Sequence, residues 1–302
     1  MSARSQDWFT GPRRPVENGH ESEKKVTDET IKKLEDFLHS FSNEHQPLLL
    51  LDYDGTLAPF RVDRFKAQPW TGVREALGRI QRQGRTRMVV ITGRPAKEIG
   101  PLLRGHPPVI DPMLEVWGLH GAERLHPDGR RELEQAPPET QRKLDELREH
   151  LRHYNLGGQF EDKPNAAVMH WRGASPRTAK FIEMRTRELF EPLATLPGLT
   201  LLPFESGLEL RVGRDKGGAV SALIFEAEPG TPVAFIGDDV TDEAGFIAIN
   251  QANCPHLSVL MRPEPRETAA DIWLRPPSEL RGFLKRWYRA MEAVYGKTAA
   301  VA

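Results

Sequence analysis

The chain holds a single cysteine, Cys254, among its 302 residues, so no disulfide can form within it, which fits a reducing compartment. Neither sign of charge is in excess: 42 Lys and Arg face 43 Asp and Glu, a formal net charge of −1. No electrostatic footprint therefore points to nucleic acid or an anionic membrane as a partner. No apolar run approaches the length of a membrane span. The opening stretch MSARSQDWFTGPRRPVENGHESEKK has no apolar core and is not expected to act as a secretory signal. Repeats and low-complexity tracts are lacking too. These absences, with an ordinary apolar content of 38%, leave a soluble, cytoplasmic globular protein long enough for one large domain or two smaller ones. The oligomeric state is open, a monomer among the options.

What is present begins with a change of pattern. Residues 1–24 are polar and aperiodic and are expected to be a disordered tail. Beyond Val26, Ile31, Leu34, Phe37, Leu38 and Phe41 recur at helical spacing, which predicts an amphipathic docking helix. Three short apolar runs follow along the chain, PLLLLDYDGT, RMVVITGR and PVAFIGDDVTD. Runs this short, apolar on both faces and followed by helical segments, predict buried parallel strands. The first two precede TGVREALGRIQRQG and PAKEIGPLLRG, with Pro95 placed for a first helical turn. Such alternation gives an α/β fold with a doubly wound, Rossmann-like parallel sheet, whose ligands sit at the carboxyl ends of the strands. From Arg124 to Val212 the pattern differs: a helix, the extended stretch FEDKPNAAVMHWR, a long helix from Ser175-Pro176, and a hairpin turning at Glu205-Ser206-Gly207. The hairpin alternates apolar and polar residues, as in a sheet packed on helices by one face and open on the other. The expected division is a core of residues 25–123 and 213–302 interrupted by a smaller α/β cap at 124–212.

Four features with chemical potential lie where strand ends meet helix starts. Asp52 and Asp54, followed by Gly55, close the first strand; alone, Asp-Gly is a turn. Thr92-Gly93-Arg94 closes the second; alone, Thr92 is a helix cap. Lys216 opens a helix, where a cation opposes the helix dipole. Asp238, Asp239, Asp242 and Glu243 crowd one strand end, and anions so packed repel one another unless a divalent cation joins them. One crevice can collect all four features, and their order is what distinguishes them from four ordinary turns.

That ordered set resembles the haloacid-dehalogenase-like phosphatases. The resemblance implies a phosphoric monoester hydrolase in which Asp52 attacks phosphorus and carries the phosphoryl group, while Asp54 protonates the leaving oxygen and then deprotonates water. Thr92 and Lys216 would hold the phosphoryl oxygens, with Gly93 and Arg94 beside them on the substrate side. The implied cofactor is Mg²⁺, held by the Asp52 carboxylate, the Asp54 backbone carbonyl and Asp238; Asp239 and Asp242 would orient metal-bound water or Lys216.

Specificity must come from the inserted segment. In extended strands Glu161 and Lys163 share a face, as do His170 and Arg172, and Glu209 and Arg211. A cluster of this kind suits sugar hydroxyls, and it equally suits a solvated face with exposed ion pairs. Gly118-Leu119-His120-Gly121-Ala122-Glu123, Glu161–Lys163, His170–Arg172 and Gly207–Glu209 resemble the trehalose-6-phosphate phosphatase branch over about residues 46–287. The resemblance implies trehalose biosynthesis, a mobile cap, and trehalose 6-phosphate as the sugar-phosphate substrate. Glu161, Lys163, Arg172 and Glu209 would grip the distal glucose, with His120 and Glu123 at the core–cap border. The family pattern calls for an amide near Ser175, where Ser175-Pro176 reads equally well as a helix cap. Other sugar phosphates (sucrose 6-phosphate, a glycosyl-phosphoglycerate), a phosphomutase and a non-catalytic regulatory module are the alternatives.

Overall fold

The structure, a computed structural model, describes residues 27–61, 63–105, 110, 114–153, 159–163, 165–204 and 206–299. The expected tail at 1–24, and Glu205 of the expected hairpin turn, lie outside the described residues.

The docking helix is α1 (Asp28–His39), capped by Thr27, whose side chain accepts from the Thr30 amide; Leu34 and Phe37 form its buried stripe. The three anticipated strands are β1 (Leu48–Leu51), β2 (Arg87–Ile91) and β10 (Val233–Gly237). Side chains along β1 alternate between two cores: Leu49 and Leu51 pack with α1, α2 (Val73–Gln83) and α8 (Ser278–Ala299), while Leu48 and Leu50 pack with α6 (Lys216–Glu226) and α7 (Glu243–Asn250). A strand buried on both faces needs a continuous apolar run, and LLLL supplies it.

The sheet has eight strands in the order β12-β11-β10-β1-β2-β3-β4-β5. It includes β3 (Glu115–Gly118), β4 (Glu123–Leu125), β5 (Arg131–Leu133), β11 (His256–Met261) and β12 (Ile272–Leu274), strands that no apolar run had announced. From β12 to β3 the pairs are parallel, and β3-β4-β5 continue antiparallel. The chain winds outward from β1 through β2 and β3, then returns to pair β10 on β1's other side. The carboxyl ends of β1 and β10 are thus the switch point where a ligand crevice opens. Pro95 caps a single 3₁₀ turn (Ala96–Glu98) that leads into α3 (Ile99–Arg104), one turn later than expected.

The second sheet is four-stranded and antiparallel: β6 (Gln159–Lys163), β7 (Ala166–His170), β9 (Gly207–Val212) and β8 (Leu199–Phe204). Helices α4 (Pro138–His153) and α5 (Pro176–Ala194) cover one face. The expected boundary at residue 124 falls inside β4, which with β5 belongs to the large sheet, so the elements of the small sheet begin at α4. Its other face is not open as the hairpin's alternation had predicted. Glu209 and Arg211 of β9 are buried there against the core, while Leu208, Leu210 and Val212 lie under the helices; the β6 edge, with Glu161 and Lys163, stays accessible.

Candidate active site

Asp52, Thr92 and Asp238 each stand one residue beyond a strand, after β1, β2 and β10, and Lys216 is the first residue of α6. The fold brings them together at the switch point, with Asp54, Gly93, Arg94 and His120, in a cleft of about 320 Å³. Lys216 Nζ donates to Asp52 Oδ1 and Asp242 Oδ1, both at 2.7 Å. Burial works to lower the lysine's pKa, but Asp242 and Asp52 outweigh it and hold the ammonium above its usual value. Asp242 is spent in this arrangement: its other oxygen accepts the Asp238 and Asp239 amides, each at 3.0 Å. Of the two roles expected of Asp242, orienting Lys216 is the one its contacts match. Asp239 lines the cleft while its carboxylate caps the Val240 amide.

Ligand atoms of Asp52, Asp238 and Asp242 lie within 4.8 Å of one another. Burial, opposed by Lys216 and reinforced by Asp242, raises Asp52 to about 7. Burial followed by Asp52 and Asp242 raises Asp238 to about 9. Asp238 Oδ1 is buried and has no hydrogen-bond partner. Oxygen donors that repel one another, one of them orphaned, fit a hard divalent cation between Asp52 and Asp238.

Asp54 is held by Arg94, whose Nε donates to Oδ2 at 2.6 Å and Nη2 to Oδ1 at 2.5 Å. Arg94 was expected on the substrate side; it lines the cleft, but its guanidinium is committed to Asp54 and to the Arg64 carbonyl at 2.7 Å. Gly93 makes room for His120, since a Cβ on it would lie 2.7 Å from the imidazole Cε1 and Nε2. His120 has a left-handed backbone (φ 57°), and its amide donates to the Thr92 carbonyl at 2.7 Å. Burial, then Arg211, Lys216 and Lys163, keep its imidazole neutral, well below the usual value.

Glu123 is not in the cleft. It is buried under the β2–α3 turn, where it accepts the Ala96 amide at 2.8 Å and a bond from Arg131, so it supports the loop that carries Arg94. On the cap, Lys163 and Glu209 do reach the cleft and pair with each other at 3.4 Å. Glu161, half exposed, pairs with His170 at 3.1 Å and is not among the lining residues. Arg172 departs further from expectation. β7 ends at His170, so Arg172 lies exposed in the following turn and shares no strand face with it. Arg211 is buried and anchors cap to core by donating to the Leu119 and Arg214 carbonyls. Ser175 caps α5, accepting the Thr178 amide at 3.3 Å. Four lining residues carried no signal in the sequence motifs: Phe60, Val168, Leu202 and Phe204.

A trehalose-phosphatase family model matches residues 50–276, which span every element of this cleft. The chain belongs to that family. It is 29% identical over 254 residues to a probable trehalose-phosphate phosphatase of Sinorhizobium fredii, covering 83% of this chain and 91% of that one. It is 27% identical over 205 residues to the trehalose-6-phosphate phosphatase of Escherichia coli, covering 66% and 72%. Among solved structures, the trehalose-6-phosphate phosphatase of Aspergillus fumigatus superposes with a TM-score of 0.66 at 24% identity, over 88% of this chain and 98% of that one. The member of the trehalose-phosphatase family described here is an enzyme, a phosphatase with a haloacid-dehalogenase-like fold. Among the described residues no helix is long and apolar enough to cross a membrane.

Proposed function

We propose that the chain hydrolyses trehalose 6-phosphate to trehalose and phosphate, with Asp52 as nucleophile. The observation that carries this reading is the buried Asp52 carboxylate, pinned by Lys216 at 2.7 Å beside Asp54 and beneath a cap face that presents Lys163 and Glu209. An Asp52 oxygen attacks phosphorus as the bond from phosphorus to the sugar oxygen breaks, and that oxygen takes a proton from Asp54. Water then attacks the acyl phosphate, Asp54 receives its proton, and phosphate leaves with Asp52 restored. Arg94 donates to both Asp54 oxygens, which holds the carboxylate in place as the base of the second step; to act as the acid of the first, Asp54 takes up a proton and gives up one of these two bonds. Thr92 and Lys216 steady the phosphoryl oxygens. Lys163 and Glu209, on the cap side of the cleft, are the groups placed to meet sugar hydroxyls.

Asp52, Asp238 and the Asp54 carbonyl would hold Mg²⁺, which supplies positive charge against a phosphate dianion when bound. Asp242, tied up with Lys216 and two amides, is left out of that set.

The test uses two variants. Asp52→Asn should abolish phosphate release from trehalose 6-phosphate, since an amide is no nucleophile at phosphorus. Asp54→Asn should slow it by about two to four orders of magnitude through lost proton transfer. Wild-type release by a folded Asp52→Asn protein, read by circular dichroism and a phosphate assay together, would sink the mechanism.

A further inference from the structure

The charged end of the cleft is accounted for by phosphate chemistry, but its apolar members are not. Phe60 is 66% exposed, on the loop that follows Asp54, yet it lines the same cleft as Asp52. An exposed phenyl ring costs apolar hydration unless something covers it. The loop that carries it is held at several points. Tyr53 Oη donates to the Ala67 carbonyl at 2.7 Å, Arg64 Nη2 donates to Glu98 at 2.8 Å, and Arg94 Nη1 donates to the Arg64 carbonyl at 2.7 Å. The guanidinium that grips Asp54 thus also tethers the Phe60 loop.

Phe204 approaches from the cap. It ends β8 directly opposite Gly207 in the register, and a Cβ on Gly207 would lie 2.0 Å from the ring's Cζ. Only glycine there lets the phenyl lie down on the strand. The ring's other neighbour is His170, edge-on at 5.2 Å and 64°, itself paired with Glu161 at 3.1 Å. Phe204, Val168 and Leu202 therefore give the cap side of the cleft an apolar floor beside Lys163 and Glu209. A phosphate group has no use for such a floor. A pyranose does, because its ring presents C–H faces that stack on aromatic rings while its rim hydroxyls take polar partners.

We propose that Phe60 on the core and Phe204 on the cap form a two-part aromatic contact for a pyranose ring of the substrate, and that this contact selects ring-bearing phosphoryl donors over acyclic ones. The inference rests on the reading of the substrate as a sugar phosphate and adds the residues that recognise the ring itself. Because the two halves come from different sheets, the contact is complete only with the cap seated on the core.

The experiment compares trehalose 6-phosphate with acetyl phosphate, which has no ring, for Phe60→Ala, Phe204→Ala, Phe60→Leu and Phe60→Tyr. Each Ala variant should lower kcat/KM for trehalose 6-phosphate by about five- to thirty-fold, mostly through KM, and lower it far less for acetyl phosphate. Phe60→Tyr, which keeps the ring face, should restore most of the loss, and Phe60→Leu should not. Parallel losses on both substrates, no loss at all, or equal rescue by Leu and Tyr would each overturn the aromatic contact. A parent protein that rejects trehalose 6-phosphate but accepts another hexose phosphate would refute the substrate reading alone, and the same four variants on that ester would then decide the contact. A parent that accepts no sugar phosphate overturns both.

Discussion

Lys216 occupies a position that disfavours a cation, the first turn of α6, where the helix dipole is positive. Two carboxylates at 2.7 Å reverse that preference, so the lysine makes sense only as part of the site. Asp52, Thr92 and Asp238 were legible as neighbours because each follows an apolar run that marks a strand end, and Lys216 because it opens a helix. The committed partners of Arg94 and Glu123 were not, since nothing local reveals that one clamps Asp54 and the other props Ala96. A different acid, Glu226, offers a test at this scale away from the chemistry. Arg124 donates to it at 2.6 and 2.8 Å and Arg87 at 2.9 Å. Arg124 first, with Arg87 and against partial burial, lowers its pKa from 4.5 to about 2. A pKa depressed in the folded state gives stability that is present above the unfolded value of 4.5 and is lost as pH falls toward 2. Glu226→Gln should therefore lower the urea midpoint at about pH 7, and the gap from the parent should shrink at about pH 3.5. A gap of constant size would show that the ion pairs do not carry the effect.

At the scale of elements, strands of the large sheet with unbroken apolar runs were readable and those with a polar interruption were not. β3 was hidden by Glu115, a buried acid that the sheet accommodates through Arg87 and Arg124. β11 is interrupted by Ser258, bonded to Asn250 and Asp271, and β12 is only three residues long. The same limit explains the cap. Alternation names the face of a residue but not where its strand stops, so Arg172 was counted with His170 although β7 ends between them. The placement of the four cap candidates divides their expected effects. Lys163→Ala and Glu209→Ala remove partners that face the cleft, and each should cost trehalose 6-phosphate hydrolysis about ten- to a thousand-fold in kcat/KM, the worth of hydrogen bonds to charged groups. Arg172→Ala and Glu161→Ala, away from the cleft, should cost less than either. Acetyl phosphate turnover should change much less than trehalose 6-phosphate turnover in all four, because a fold defect would lower both. Equal losses across the four positions would mean that the cap closes differently around substrate than the structure shows.

For the whole molecule, one sheet places phosphate chemistry at its switch point while a second sheet, inserted between β5 and α6, turns a mixed polar and aromatic face onto it. The doubly wound order was legible because each half begins from a run that must be buried on both sides. Closure of the crevice was not, because it depends on contacts between sheets distant in sequence, such as Arg211 on the Leu119 carbonyl. From this architecture we infer a division of labour in which the core carries the phosphoryl chemistry and the cap, together with Phe60 of the core, selects the ester. The most direct test of that division is phosphate release from trehalose 6-phosphate, sucrose 6-phosphate and glucose 6-phosphate by the full chain, in Mg²⁺ and after exhaustive chelation. Glucose 6-phosphate lacks the remote ring's binding energy, and sucrose 6-phosphate carries its phosphate on a furanose that sets the remote glucose at a different angle. The predicted result is therefore a kcat/KM for trehalose 6-phosphate on the order of a hundredfold above the other two, with activity lost on chelation and regained with Mg²⁺. Equal rates across the three esters, or full activity without divalent metal, would contradict it.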